Sequence, residues 1–204
     1  MKIILITITF VLIISVLHTQ AQENLLLDDF EESISTGPTG TIGAGTNGNT
    51  TIEVTGDKVI KYSGKQSLKV TFDTSSGAGA AWVAKGLDLE ETPNSGWRVN
   101  PQDINWNKYF ALSFYVYGSN SQNTVKLHIV DGGQEILEYV FKDDFTGWKD
   151  IICNFNDFYT SPSWQSKHAK KNGKIDFPIK SFSFLFPPKE KGTLYIDRAE
   201  LVAK

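Results

Sequence analysis

Nearly every apolar stretch of this chain alternates with a period of two, and no segment carries the long stripe of an amphipathic helix. In residues 67–72 (SLKVTF), Leu68, Val70 and Phe72 fall on one side. In ALSFYVYG, Leu112, Phe114 and Val116 do the same and leave Ser113, Tyr115 and Tyr117 on the other. The next run, TVKLHIVD, places Val125, Leu127 and Ile129 inward and Lys126 and His128 outward. Residues 135–141, 148–155, 179–186 and 193–202 read as further strands, separated by turn clusters such as Gly118-Ser119-Asn120 and Asp131-Gly132-Gly133. Strands with one apolar face must bury it against another sheet. The pattern therefore predicts an all-β fold, a β-sandwich of two antiparallel sheets in a jelly-roll arrangement. Two stretches resist strand assignment. Residues 36–50 are rich in Gly, Thr and Asn and have little to bury; residues 158–174 form a long polar connection, with room for a short helical turn.

Residues 1–21 read as a secretory signal peptide. Lys2 gives the positive start, residues 3–17 the apolar run, and Thr19-Gln20-Ala21 a small-residue cleavage site. The uncharged run has about the length of a signal core and is short for a membrane span. No Cys follows it to take a lipid anchor. The expectation is a secreted, extracellular protein, off the membrane after signal cleavage, with residues 22–204 as one β-sandwich domain. Cys153 is the only cysteine, so an internal disulfide is excluded, and within Ile151-Ile152-Cys153 it reads as a small buried hydrophobe. The formal net charge is −3, and the one basic cluster, KHAKKNGK at residues 167–174, reads as a solvated loop. Neither points to nucleic acid as partner.

Carboxylates stand inside strand-like apolar stretches near both ends of the domain, in LLLDDFEE and GTLYIDRAELV. A carboxylate that leaves water needs a partner, because an unpaired buried charge costs several kcal/mol or more. Apart from Arg198, the neighbours of Asp29, Glu31 and Asp197 are Leu, Phe, Ile and Tyr. Two readings follow: strand-edge groups in water, or ligands of one shared hard cation, for which oxygen-only ligation favours calcium.

The order DDFE, SGKQSLKV, LSFYVYG, GWKDIICNFNDF and Gly-Thr-Leu-Tyr-Ile-Asp resembles the β-jelly-roll carbohydrate-binding modules of bacterial polysaccharide-degrading systems, nearest to the family 11 and family 30 type and to galactose-binding-like domains. The resemblance spans residues 25–202. It implies that Trp148, Ile151, Cys153, Phe155 and Phe158 serve core packing. It further implies a structural calcium ligated by Glu31 and Asp197, with Asp29 a weaker candidate and the loop Ser63-Gly64-Lys65 donating backbone carbonyls. Cys153-Asn154 departs slightly from the apolar residue and Pro usual there.

Sugar recognition uses flat aromatic faces and planar polar groups. With the inward positions filled by Leu, Val, Ile and Phe, aromatics of opposite parity are the informative ones. The expected carbohydrate-binding set is Tyr115, Tyr117, Trp82, His128, Asp131 and Glu138, all in a groove on the concave sheet face. The alternative for the two tyrosines is cover by residues 158–174, and for Trp82 a core role. Trp97, Trp106 and Trp164 sit in loop-like contexts, one of them at the rim. The leading function is a non-catalytic module binding a polysaccharide or oligosaccharide, a β-glucan or another plant-type glycan, within a polysaccharide-degrading assembly. An assembly protein without sugar binding is a second reading, since fold does not fix function. An enzyme is a third. His128 in KLHIV resembles a short motif of jelly-roll lyases, but their Arg-rich and Tyr-rich companions are missing, and Arg98 and Arg198 are the only arginines. Asp131 and Glu138 could form a glycosidase pair if held about 5–9.5 Å apart across a cleft.

Overall fold

The computed structural model describes residues 23–87, 89 and 91–204; the signal-peptide reading of residues 1–21 lies outside the described residues. Twelve strands form two six-stranded sheets, with no α-helix among the described residues. The first sheet holds β1 (Leu25–Asp28), β3 (Thr51–Asp57), β4 (Ser67–Asp73), β6 (Tyr109–Ser119), β9 (Thr146–Asn154) and β12 (Lys191–Ala203). It runs β3-β4-β12-β6-β9, with β1 added to β12. The second runs β10-β8-β7-β11-β5-β2, from β2 (Gly43–Thr46), β5 (Ala81–Gly86), β7 (Thr124–Val130), β8 (Ile136–Lys142), β10 (Tyr159–Thr160) and β11 (Ser181–Phe186). Every pairing is antiparallel.

The period-two reading holds where it was strongest. Leu68, Val70 and Phe72, Leu112, Phe114 and Val116, and Val125, Leu127 and Ile129 all lie in the core between the sheets. Phe114 meets Phe182 and Phe184 edge-on across the sandwich, each at 4.9 Å between ring centroids. Cys153 is buried and free, as its apolar context required. Residues 36–50 order themselves more than their composition suggests: Ile42 is buried and β2 adds an edge strand to β5. The reason is tertiary. Trp82 lies across Gly45, where any side chain would collide with the indole at 2.2 Å. The glycine is what lets the strand approach. Within residues 158–174 there is no helical turn; a 3₁₀ turn precedes them at Phe155–Asp157, and β10 pairs with β8.

One charge pair crosses this apolar interior. Asp28 on β1 and Lys85 on β5 are both buried and bridge the two sheets at 3.0 Å. The Phe30 N–H donates to Asp28 at 2.8 Å, and Lys85 Nζ also donates to the Thr41 carbonyl at 3.2 Å. Burial pushes the Asp28 carboxyl above its ordinary value, with the Lys85 charge opposing the shift. Removing one partner leaves the other charge uncompensated. Lys85→Met should therefore destabilise by about 3–5 kcal/mol, read as a lower urea midpoint. The double variant Lys85→Met/Asp28→Asn, which keeps an acceptor for the Phe30 N–H, should recover most of that loss.

Candidate functional site

The outer face of the second sheet gathers the chemically loaded side chains. On β7 the inward parity belongs to Val125, Leu127 and Ile129, so Lys126 and His128 stand on the outer face. His128 is directly opposite Glu138 on β8, and Glu138 is directly opposite Tyr159 on β10. Glu138 is nearly inaccessible because four donors close over it. Lys126 Nζ lies at 3.1 and 3.3 Å from its two oxygens, His128 Nε2 at 2.8 Å, Tyr159 OH at 2.8 Å and Ser161 Oγ at 3.3 Å. Burial alone would raise the Glu138 carboxyl, but the bonds from His128, Tyr159 and Lys126 outweigh it and hold it below its usual value. Burial depresses His128 in turn, more than Glu138 raises it. An ionised Glu138 only accepts, so Nε2 of the neutral imidazole must carry the proton, which leaves Nδ1 as an acceptor.

Away from this cluster the face is lined by small residues. Ser183 on β11 pairs with His128 on one side and Ala84 on the other, and Gly43 follows on β2. The adjacent row runs Lys126, Leu185, Trp82 and Gly45. A depression of about 300 Å³ lies beside Trp82, lined by Gly43, Ala84, Leu89 and Thr92 among others. Trp82 and Tyr159 stand four strand spacings apart, about 19 Å at ~4.8 Å each. A larger cleft of about 450 Å³ opens near Trp106, Phe155 and Phe177, but no Asp or Glu lines it and its rings stack on one another, Trp106 on Phe177 at 5.1 Å.

The expected single face divides in two. Trp82, His128 and Glu138 share the second sheet, whereas Tyr115 and Tyr117 lie on β6, on the outer face of the first. Strand parity fixed which side of its own sheet each residue faces, but not which sheet each strand joins. Asp131 stands on neither outer face. It is fully buried and organises the turn after β7, accepting the Glu135 N–H on one oxygen and the Asp176 N–H on the other, both at 2.8 Å. With both its oxygens engaged and Glu138 capped by four donors, the two do not form an acid–base pair across a cleft. Tyr115 is covered by Tyr62 rather than by residues 158–174. Trp148 is not a core residue; it shares parity with Asp150 and Ile152, opposite to the core residues Ile151 and Cys153, and packs edge-on against Tyr117 at 5.5 Å. Trp97 and Trp106 are buried, while Trp164 is 67% exposed. Sequence reasoning missed Lys126 and Tyr159 as partners of Glu138. Parity does place Lys126 outward, but nothing local announces Tyr159.

The terminal carboxylates converge only in part. Asp197 is buried under the loop after β3 and accepts the N–H groups of Tyr62 and Ser63, each at 3.0 Å. Glu31 accepts the Lys65 N–H of the same loop at 2.9 and 2.8 Å. Asp29 instead pairs with Arg98. Burial raises the Asp197 carboxyl, and the nearby Glu31 charge adds to the shift against the opposing N–H bonds. Glu31 and Asp197 thus turn to the same loop, which meets both carboxylates through N–H groups, and Asp29 does not join them. Among the described residues, no three His, Cys, Asp or Glu side chains form a metal-binding group.

The Glu138 cluster has a pH signature. Its folded-state value is lowered, so the stabilisation is present above the unfolded carboxyl value and lost as pH falls through the folded one. Glu138→Gln should lower the melting temperature at pH 7, and the gap to the parent chain should shrink towards pH 3–4 (about the range of carboxyl titration). Thermal melts across that series measure it.

The architecture matches solved structures. Similar in fold are the family 11 carbohydrate-binding module of Clostridium thermocellum in complex with a β-1,3-1,4-mixed-linked tetrasaccharide (18% identity, 90% of this chain and 98% of that one, TM-score 0.70) and the family 11 module of the cellulosomal cellulase Lic26A-Cel5E of the same organism (18% identity, 91% and 97%, TM-score 0.69). The family 30 module of the C. thermocellum cellulase Cel9D-Cel44B is similar at 12% identity, over 90% of this chain and 99% of that one, with a TM-score of 0.54. No curated protein matches the chain in sequence. Residues 16–204 match the carbohydrate binding domain of family 11, a carbohydrate-binding rather than a catalytic family, and the chain belongs to it.

Proposed function

We propose that this protein is a secreted, non-catalytic module that binds a polysaccharide chain across the outer face of the β10-β8-β7-β11-β5-β2 sheet, as part of a polysaccharide-degrading assembly. The observation that carries the reading is the pre-built cluster of Lys126, His128, Glu138 and Tyr159, set beside a trough of small residues and the Trp82 ring. Trp82 and Tyr159 offer flat rings near the two sides, and Lys126 and His128 offer a donor and an acceptor for hydroxyls. The cluster is already hydrogen-bonded, so little ordering cost opposes binding. Family membership favours a carbohydrate ligand. The mixed-linked tetrasaccharide held by the C. thermocellum module favours a β-glucan. Affinity electrophoresis through gels containing β-glucan, xylan, glucomannan or galactan tests this. One or two polymers should retard the protein, and Trp82→Ala should weaken that retardation about tenfold, the size of a binding hot spot (roughly 1.4 kcal/mol). A chain retarded by none of the gels would belong instead to the assembly-protein reading.

The same proposal includes a structural calcium held by Glu31 and Asp197. What supports it is that both carboxylates turn to one loop, and that a divalent cation there would offset the mutual charge of two acidic groups. The ion would fasten the chain end to the loop. A cation bound at 100 times its dissociation constant stabilises by about 2.7 kcal/mol, which for a domain of this size corresponds to roughly 5–10 °C. Chelation should therefore lower the melting temperature by that amount, and excess calcium should restore it. Equal melting with and without chelator would exclude the ion.

A further inference from the structure

The outer face of the first sheet carries an aromatic surface that the proposed site does not use. Tyr195, Tyr117 and Trp148 stand directly side by side on β12, β6 and β9. Their rings meet at 5.8 and 5.5 Å, close to perpendicular. Lys69 of β4 stands next in the row, with its ammonium 5.8 Å from the Tyr195 ring. In the neighbouring row Tyr115 lies between Asp197 and Asp150. Tyr62 stacks on it at 3.6 Å and 15°, from the loop that Asp197 and Glu31 hold down. Tyr62 also meets Trp148 edge-on at 5.8 Å and is itself 45% exposed. The solvent side of an antiparallel sheet is ordinarily polar. Here three adjacent strands contribute four aromatic residues, and a fastened loop adds a fifth ring.

We propose that this face is a glycan-contact surface of its own, on the opposite side of the sandwich from the Trp82–Tyr159 face. The inference rests on the carbohydrate reading above. The chemistry selects a sugar chain over a protein partner. Lys69 stands beside Tyr195 and Asp150 beside Tyr115 among these rings, whereas the core of a protein interface is depleted of charged residues. The tyrosines bring hydroxyls beside flat rings, and Lys69 and Asp150 supply charged hydrogen-bonding groups at the edges. The bond to Tyr62, with burial and the Asp150 charge adding to it, pushes Tyr115 up to about 12, so its hydroxyl stays protonated. Two such faces on one module would let it bridge neighbouring chains of a polymer and gain avidity without tighter individual sites.

The full chain is compared on the same four gels with three variants: Tyr62→Ala/Trp148→Ala, Trp82→Ala/His128→Ala, and all four substitutions together. Circular-dichroism melts verify that each is folded. The expected result is that each pair weakens retardation by about tenfold or more and that the fourfold variant migrates as it does without glycan. Should Tyr62→Ala/Trp148→Ala melt lower yet be retarded like the parent, the rings are a cross-strand ladder serving stability and this inference falls while the Trp82 face stands. If that pair abolishes retardation and Trp82→Ala/His128→Ala changes nothing, the first-sheet surface stands and the second-sheet site falls. A parent chain retarded by none of the gels overturns both.

Discussion

Strand β12 must satisfy two different neighbours along one edge, and much of the molecule is arranged around that change. Up to Ile196 it pairs with β4; from Ala199 it pairs with β1. Between them the register against β6 slips by one residue, and Arg198 takes a positive φ of 44°. The bulge leaves Asp197 at a gap in the ladder on that edge, where backbone N–H groups of another segment can reach its carboxylate. The loop after β3 fills the gap with the Tyr62 and Ser63 amides. A bulge thus becomes the anchor of a loop, and the anchor sets the position of the Tyr62 ring.

The second sheet solves a different problem. Glu138 sits on a nominally solvent-facing position yet is buried, because β10 returns along the edge of β8 and brings Tyr159 and Ser161 over it. A buried carboxylate with four donors is a rigid unit, since moving any one donor would expose an unmet charge. That rigidity extends to Lys126 and His128, whose free hydrogen-bonding capacity is then held in fixed directions. Recognition of hydroxyls depends on such fixed directions more than on buried area.

The two outer faces differ in what they offer. One is a trough with a polar cluster and rings near its sides; the other is a run of contiguous rings with charged groups at its edges. The sandwich keeps them on opposite sides through a core of packed aromatics and one buried pair, Asp28–Lys85, which ties the sheets together. Family 11 membership accounts for a carbohydrate ligand, but the fold alone assigns neither face.

Period-two alternation was enough to determine the all-β sandwich and the inward residues of β4, β6 and β7, and the apolar run around Cys153 was enough for its burial. Side-chain parity is a property of consecutive residues, so it is written locally. The order of short signatures was enough for the family. The sequence by itself also marked Asp197 and Glu31 as carboxylates in need of partners, because their apolar neighbours leave few alternatives. It did not reveal which sheet each strand enters, and on that point the single expected face of Tyr115, Tyr117, His128 and Glu138 divided. Sheet membership depends on contacts between strands far apart in the chain, as when β12 inserts between β4 and β6. The same non-local closure turned Asp131 into a loop anchor and set Tyr159 over Glu138 and Tyr62 over Tyr115. Parity decides which side of a strand a residue occupies; only tertiary packing decides what stands on that side with it.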